Sequence, residues 1–364
     1  MPRIRNISLV LIFAAILVAP TVAAVFRLNP MGGIDEKRKL AGKPTDSPWS
    51  KGGLARVPAL AQAWEKYFGD NFGLRKLLIG TYRLASFRLL QASPNPAVVV
   101  GESDGTSRWL YFDASLASDG VGLDSILGKK PYTAAELAAV ADRLRQVTLL
   151  VRGKGAKLVI AICPDKQTIY PEYLPRAKRP KPGAISRLDQ FWAMAAALDD
   201  VPLVDLRIPL KQAKPDTLLY YPSDTHWNMR GELLGYQAVA RALAVRDPSR
   251  EVLPLELLKW QKGAPWVGDL TTLMGVPALG GDPNWLPVAA SFAALARPKR
   301  GKLLLIADSF FGALQPYFEL QFETVKKIHR ATYGMKGELV APGWLDAEKP
   351  DVVILESVER YWTE

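Results

Sequence analysis

Two short stretches of the sequence carry residues whose types and spacing suit acyl-transfer chemistry. The first, residues 221–228, contains Asp224 and His226, and histidine occurs only 2 times in this chain of 364 residues. In an extended or turn segment, residues two apart point to the same side, so the Asp224 carboxylate can reach one ring nitrogen of His226 and fix its tautomer. The other ring nitrogen is then free to act as a base.

The second stretch, residues 306–310, supplies the nucleophile that such a base needs. The apolar run that ends at Ile306 predicts a strand that gives way to a helix, so the Ser309 hydroxyl would be exposed at the strand's end. Ser309, His226 and Asp224 therefore form a candidate Ser/His/Asp triad. Each motif also has a plainer use, since Asp-x-His forms hydrogen-bonded loop pairs and Asp-Ser after a strand commonly caps a helix.

Two other residues compete for the role of nucleophile. Residues 101–105 fit the G-x-S-x-G pattern around Ser103, but that pattern must lead into a helix. Residues 106–112 instead alternate like a second strand, which favours a hairpin turn. Cys163, the single cysteine, ends the buried run 158–163, where a thiol behaves as a small hydrophobe. A lone cysteine also excludes an intramolecular disulfide.

Composition narrows the classes of partner. The chain has 47 Lys and Arg against 36 Asp and Glu, a net charge of +11, which favours anionic surfaces such as a membrane leaflet or an acidic polymer. No zinc-ligand spacing, basic recognition helix or RNA-binding aromatic signature accompanies this charge, so no nucleic-acid partner is expected. Metal binding through Asp224 and His226 would need a third ligand, and the sequence marks none at a recognisable spacing. We expect neither a metal nor a cofactor.

The elements that must position the triad alternate between helix and strand. The sequence predicts helices at 133–153, 185–198 and 231–243, and strands at 158–163, 202–205, 303–306 and 351–355. This alternation predicts an α/β fold with a mostly parallel sheet covered on both faces. The triad would then lie at the carboxyl edge of the sheet, where open α/β sheets bind ligands. The apolar residues in 248–300 show no regular spacing, so this region is either a substrate-facing insertion or a set of packed loops.

The N-terminal segment differs in character from the rest of the chain. Residues 7–26 are mostly apolar and long enough to span a bilayer, with Arg3 and Arg5 before them and a small-residue cleavage site at 21–23. This pattern fits either a signal peptide or an uncleaved anchor, and the length of the apolar run favours an anchor. We predict three regions, a signal anchor or signal peptide at 1–30, a linker with N-terminal helices at 31–95, and the catalytic domain at 96–364.

Several motifs spread over residues 60–364 resemble one known family. They lie at residues 65–75, 100–105, 109–112, 164–174, 224–227, 307–310, 349–353 and 359–360. In these motifs the chain resembles the alginate O-acetyltransferases of the AlgJ/AlgX type, whose catalytic domain is SGNH-hydrolase-like. The resemblance implies a three-layer α/β sandwich with a mostly parallel sheet, preceded by an N-terminal transmembrane or signal helix. It also implies the triad Ser309, His226 and Asp224.

The resemblance implies a function as well. We expect an O-acetyltransferase that acetylates hydroxyls of an exported, alginate-like polysaccharide, located in the periplasm and attached to the inner membrane by its N-terminal anchor. A multi-span membrane acyltransferase would be the partner that supplies the acetyl group. Two alternatives remain open. One is a polysaccharide acetyl esterase of the same fold, and the other is a non-catalytic, membrane-tethered protein that binds glycan during assembly.

The second histidine, His329, is the alternative base. It lies in the cationic stretch 325–330 and has no carboxylate two residues away, whereas Asp224 favours the imidazolium that a triad must stabilise. We therefore expect His226→Ala to lower the turnover of an activated acetyl ester by on the order of a thousandfold or more, and His329→Ala to leave most of it. The reverse pattern, with both variants folded, would reassign the base.

Overall fold

The computed structural model describes residues 2–26, 39–45, 57–113, 115, 122–276, 281–329 and 339–362. The chain forms two compact units. The first comprises Met1–Pro94 with Met274–Val276, and the second comprises Asn95–Leu273 with Pro277–Glu364. Within the region predicted as a linker with N-terminal helices, residues 31–38 and 46–56 lie outside the described residues.

The first unit contains helices α1 (Pro2–Val25), α2 (Val57–Asn71) and α3 (Arg75–Leu90). Helices α2 and α3 lie within residues 31–95, where N-terminal helices were predicted, and a break at residues 72–74 separates them. At that break the Asp70 carboxylate accepts a hydrogen bond from the backbone amide of Ala41 at 2.9 Å. Over the residues that the structure describes, no helix is long and apolar enough to cross a membrane.

From residue 95 onward, strands and helices alternate. The strands are β1 (Val98–Ser103), β2 (Arg108–Phe112), β3 (Lys157–Cys163), β4 (Leu203–Asp205), β5 (Trp260–Lys262), β6 (Trp285–Pro287), β7 (Lys302–Ala307), β8 (Thr324–His329) and β9 (Val352–Val358). The helices are α4 (Ala134–Gly153), α5 (Lys166–Ile169), α6 (Arg187–Ala195), α7 (Arg207–Ala213), α8 (Met229–Arg246), α9 (Asp269–Met274), α10 (Ala289–Ala293), α11 (Gln315–Phe318), α12 (Pro342–Glu348) and α13 (Glu359–Trp362).

The centre of the second unit is a five-stranded sheet in the order β4-β3-β9-β7-β8. Every neighbouring pair in it is parallel, which confirms the predicted α/β fold with a parallel sheet. Successive side chains of a strand point to opposite faces, so each central strand contributes to two cores. On β3, Val159 and Ala161 belong to the core that includes Tyr236 of α8, while Leu158 belongs to the core that includes Leu144 of α4.

Local capping determines where the two long covering helices begin. At α4 the Thr133 hydroxyl accepts a hydrogen bond from the Glu136 amide at 3.2 Å, and the Glu136 carboxylate accepts one from the Thr133 amide at 2.7 Å. This capping box starts the helix predicted at 133–153. At α8 the Asn228 side chain accepts the amides of Arg230 and Gly231 at 3.0 and 3.2 Å. Asn228 therefore starts α8 immediately after the segment that carries His226.

Two small antiparallel ribbons lie outside the main sheet. β1 and β2 form a hairpin, as residues 97–112 predicted. β5 and β6 pair within the region that lacked any period in the sequence. We call residues 260–266 and 282–287 the Trp ribbon, because a further bridge joins Trp266 to Asp282.

The structure corrects two details of the predicted elements. Ser309 does not open a long helix, since it starts the 3₁₀ turn Ser309–Phe311 and the next helix, α11, has four residues. Pro316 explains this break, because it has no amide hydrogen to continue a helix from residue 309 and occupies the first turn of α11 instead. The edge strand β8 was not predicted, because Lys326 and Lys327 hide its apolar alternation.

A stability prediction follows from the two faces of α4. Leu144 is fully buried against the sheet, whereas Leu149 on the same helix is 65% exposed. Leu144→Ala should lower the free energy of unfolding by about 2–5 kcal/mol, because it leaves a cavity in a close-packed core. Leu149→Ala should change it by less than about 0.5 kcal/mol. Urea unfolding followed by circular dichroism measures both, and equal effects would contradict the assignment of the buried face.

Candidate active site

The turn after β7 presents the Ser309 hydroxyl to solvent. Asp308 is buried, and its carboxylate accepts the Phe310 amide at 2.8 Å and the Val358 amide at 2.8 Å. The Asp308 amide in turn donates to the Glu356 carboxylate on β9 at 3.1 Å. These bonds tie the turn to the end of the neighbouring strand, while Ser309 itself remains exposed. The predicted exposed serine at the carboxyl edge of the sheet is therefore in place.

A buried lysine holds the loop that carries Asp224. Lys166 follows β3 and is almost inaccessible, and its ammonium donates to the carbonyls of Tyr221, Pro222 and Asp224 at 3.1, 2.9 and 2.5 Å. These bonds use all three hydrogens of the ammonium. Burial lowers the pKa of Lys166 to about 8, which the charge of Asp224 partly opposes. The role of Lys166 could not be predicted from the sequence, because the loop that it contacts lies more than fifty residues further along the chain.

The Asp224 carboxylate accepts four hydrogen bonds. Its Oδ1 accepts from the His226 amide at 2.9 Å and from His226 Nδ1 at 2.7 Å. Its Oδ2 accepts from Trp266 Nε1 at 2.7 Å and from the Asp269 amide at 2.9 Å. Burial by itself would raise the pKa of Asp224, but the hydrogen bonds from His226 and Trp266 outweigh burial and hold the pKa well below its usual range.

His226 links this carboxylate to the serine. Its Nε2 lies 2.8 Å from Ser309 Oγ, while Nδ1 faces Asp224. Burial lowers the pKa of His226, yet the hydrogen bond and charge of Asp224 and the charge of Asp269 raise it above its ordinary value, against the opposing charge of Arg360. The structure thus brings together all three residues that the sequence predicted, in the order serine, base and orienting carboxylate.

Trp266 and Asp269 belong to the site but were not predicted as site residues. Both lie in the segment 266–269, and both bond to Asp224. Gly268 allows this approach, since a Cβ at that position would collide with the carbonyl of Ser223. Ser223 also donates its amide and hydroxyl to the Asp282 carboxylate at 2.8 and 2.7 Å, which fixes the loop from the other side. The only sequence signal was the scatter of tryptophans through an irregular region.

Asp269 adds a second carboxylate near the histidine. Its Oδ2 lies 3.6 Å from His226 Nδ1 and accepts a hydrogen bond from the Thr225 hydroxyl at 2.5 Å, while its Oδ1 accepts one from the Thr225 amide at 2.8 Å. Asp224, His226 and Asp269 are therefore close enough to hold a metal ion, with Asp269 as the third ligand that the sequence did not mark. Here, however, N–H donors occupy both oxygens of Asp224, and Nδ1 of His226 donates to one of them. This hydrogen bonding suits an Asp224 that orients His226 and stabilises its imidazolium better than it suits metal ligation.

The competing residues lie elsewhere. The Ser103 hydroxyl donates to the Ser107 carbonyl at 3.0 Å and accepts the Gly105 amide at 3.1 Å, so it stabilises the turn between β1 and β2. Cys163 is buried at the end of β3, and burial together with Glu356 raises the pKa of its thiol well above the ordinary value. His329 ends the edge strand β8, in register with Ala307. The hydroxyl that bonds to His226 is instead that of Ser309.

Fold and site together define the class of protein. A Ser309–His226–Asp224 hydrogen-bond chain at the carboxyl edge of a parallel sheet, with helices on both faces, is an SGNH hydrolase-like arrangement. A family model described as the SGNH hydrolase-like domain of the acetyltransferase AlgX matches residues 123–305, about half of the chain. The chain belongs to this family. The matched residues include Asp224 and His226 and end shortly before Ser309.

The chain is also similar to curated relatives named probable alginate O-acetylase AlgJ. The relative from Pseudomonas syringae pv. tomato is 28% identical over 218 residues, which are 60% of this chain and 51% of that protein. The relative from Pseudomonas putida is 27% identical over 241 residues, 64% of this chain and 58% of that protein. The chain therefore spans only a little over half the length of these relatives. The solved O-acetyltransferase domain of Pseudomonas putida AlgJ is 23% identical, with a TM-score of 0.46 over 74% of this chain and 93% of that one.

The second carboxylate gives a pH prediction. A base must be neutral to accept a proton, so turnover should rise with pH through the pKa of His226. Asp269 raises that pKa, so Asp269→Asn should move the acidic limb of the kcat/KM profile of an activated acetyl ester to lower pH. Asp142→Asn, which changes an exposed carboxylate on α4, is the matched control and should leave the limb in place. A limb that does not move in Asp269→Asn would contradict this role.

Proposed function

We propose that this chain is an O-acetyltransferase that acetylates hydroxyls of an exported, alginate-like polysaccharide. The observation that carries the proposal is the unbroken hydrogen-bond chain from Asp224 through His226 to the exposed Ser309. Membership in the AlgX-type family supports acetyl transfer, and the name of the AlgJ relatives, probable alginate O-acetylase, supports an alginate-like acceptor.

The reaction proceeds in two halves. Ser309 Oγ attacks the carbonyl carbon of the acetyl donor, His226 Nε2 takes the hydroxyl proton, and the leaving group departs with that proton to leave an acetyl ester on Ser309. In the second half, His226 removes a proton from a sugar hydroxyl, whose oxygen attacks the acetyl ester. Collapse of the intermediate returns the proton to Ser309 and releases the acetylated sugar.

The other groups of the site prepare His226 for both halves. Asp224 keeps Nδ1 protonated and therefore leaves Nε2 as the acceptor that faces Ser309. Because its pKa is held low, Asp224 stays ionised and stabilises the imidazolium that forms in each half. Backbone amides beside Ser309 are the proposed donors to the developing oxyanion.

Hydrolysis is a second candidate outcome of the same chemistry. Ser309 is exposed, so water can reach an acetyl ester formed on its hydroxyl. A polysaccharide acetyl esterase would use the same three residues, with water in place of the sugar hydroxyl. The two functions differ only in which nucleophile reaches the acyl-enzyme first, so the proportion of products distinguishes them.

The proposal is tested by supplying an activated acetyl ester together with oligomannuronate to the full chain in detergent. We expect acetylated sugar by mass spectrometry, and a loss of ester turnover of on the order of a thousandfold in Ser309→Ala. Ser103→Ala is the matched control and should retain the activity, because Ser103 serves a hairpin turn. Release of acetate without acetylated sugar would indicate an esterase. Glycan binding with no ester turnover would indicate the non-catalytic alternative.

We also propose that the chain acts in the periplasm and remains attached to the inner membrane through residues 7–26. The exposure of most large side chains of this run supports the proposal, because side chains such as Ile7, Leu11 and Phe13 offer apolar surface to a bilayer. A multi-span membrane acyltransferase is the proposed source of the acetyl group. Membrane fractions should therefore contain the chain with its original N-terminus. N-terminal sequencing that begins near Ala24 would show cleavage instead.

A further inference from the structure

Trp266 occupies an unusual position beside the triad. Its indole N–H donates to Asp224 Oδ2 at 2.7 Å, and its ring stacks on Tyr221 with a centroid distance of 5.0 Å and an interplanar angle of 11°. Tyr221 is buried, yet 40% of Trp266 is exposed. Because Tyr221 covers one face of the indole and Asp224 takes its N–H edge, the exposed surface is mainly the opposite face.

The neighbouring surface is also apolar. Val267, which directly follows Trp266, is 50% exposed. An exposed aromatic face next to an exposed apolar side chain offers a surface that a ligand can cover. The exposed Lys262 lies on β5 and adds a positive charge to the ribbon.

We propose that the exposed face of Trp266 binds a pyranose ring of the acceptor polysaccharide, next to the sugar residue whose hydroxyl is acetylated. This inference rests on the proposed function and adds a binding subsite to it. A flat indole face offers stacking to the C–H groups of a sugar ring, as aromatic faces do for other apolar surfaces. The positive charge of Lys262 and the net charge of +11 suit an acceptor made of uronate residues.

The position of Trp266 determines which sugar it can bind. Three hydrogen bonds in series separate the indole from Ser309 Oγ, running through Asp224 and His226. In this proposal the indole holds a neighbouring unit of the polymer, while the unit that is acetylated lies at Ser309. The same indole that binds this unit also orients the carboxylate that controls His226.

Two substitutions separate these roles. Trp266→Phe keeps a ring for stacking but removes the N–H that bonds to Asp224, whereas Trp266→Ala removes both. Trp285→Ala is the matched control, because Trp285 has nearly the same exposure on the same ribbon and is not among the residues that bond to Asp224. Each change is made in the full chain in detergent, with thermal unfolding to confirm that it folds.

The binding of an oligomannuronate is measured by calorimetry in a Ser309→Ala background, so that no transfer occurs. We expect Trp266→Ala to weaken binding about tenfold or more and Trp266→Phe to stay within about threefold of the parent. The turnover of an activated acetyl ester without glycan is measured with Ser309 intact. There Trp266→Phe should lower kcat about tenfold, because a hydrogen bond to a buried charge is lost. Trp285→Ala should change neither quantity.

The inference is overturned if Trp266→Ala binds the oligosaccharide as tightly as the parent, if Trp285→Ala weakens binding equally, or if the parent does not bind it. These outcomes are independent of the proposed function, which fails when the enzyme with Ser309 turns over no activated acetyl ester. Loss of binding in Trp266→Ala together with normal ester turnover in the intact enzyme supports both proposals.

Discussion

The site depends above all on how the Asp224 carboxylate is buried. A buried carboxylate is costly unless hydrogen bonds replace its lost hydration, and here four N–H groups do so. Two of them come from His226, and the others come from Trp266 and Asp269. The same bonds that keep Asp224 ionised therefore join residues 221–228, which we call the histidine loop, to the segment 266–269. Removing any of these donors would disturb both the charge of the site and its geometry.

The scaffold holds the two halves of the triad by separate means. Lys166 reaches from the end of β3 to three carbonyls of the histidine loop, and Asp282 accepts two bonds from Ser223 on that loop. Asp308 ties the turn that contains Ser309 to the end of β9. The Trp227 indole then donates to the Phe310 carbonyl at 2.8 Å and connects the two halves directly. The 2.8 Å separation of His226 and Ser309 results from these rigid attachments.

The charges around His226 oppose one another. Asp224 and Asp269 favour the imidazolium, while burial and Arg360 disfavour it. The Arg360 guanidinium pairs with Asp165 and lies 5.5 Å from the centroid of the Phe310 ring, so its charge is fixed close to the site. A general base works best when its pKa lies near the operating pH. In this site the two carboxylates raise the pKa of His226, while burial and Arg360 lower it, and the balance of these effects sets its value.

The sequence by itself determined the features that depend on residues close in the chain. The two-residue spacing of Asp224 and His226 sets their mutual hydrogen bond, the capping box at Thr133 starts α4, and the alternation of apolar segments specifies a parallel α/β sheet. The apolar run that ends at Ile306 indicated Ser309 as the nucleophile, and the resemblance of scattered motifs agreed with this pairing. Only the tertiary structure decided the contacts of Lys166, Trp266 and Asp269, because these residues meet Asp224 and its loop through the packing of segments more than forty residues apart. Such contacts depend on sheet order and loop paths, which are properties of the whole fold rather than of any local pattern.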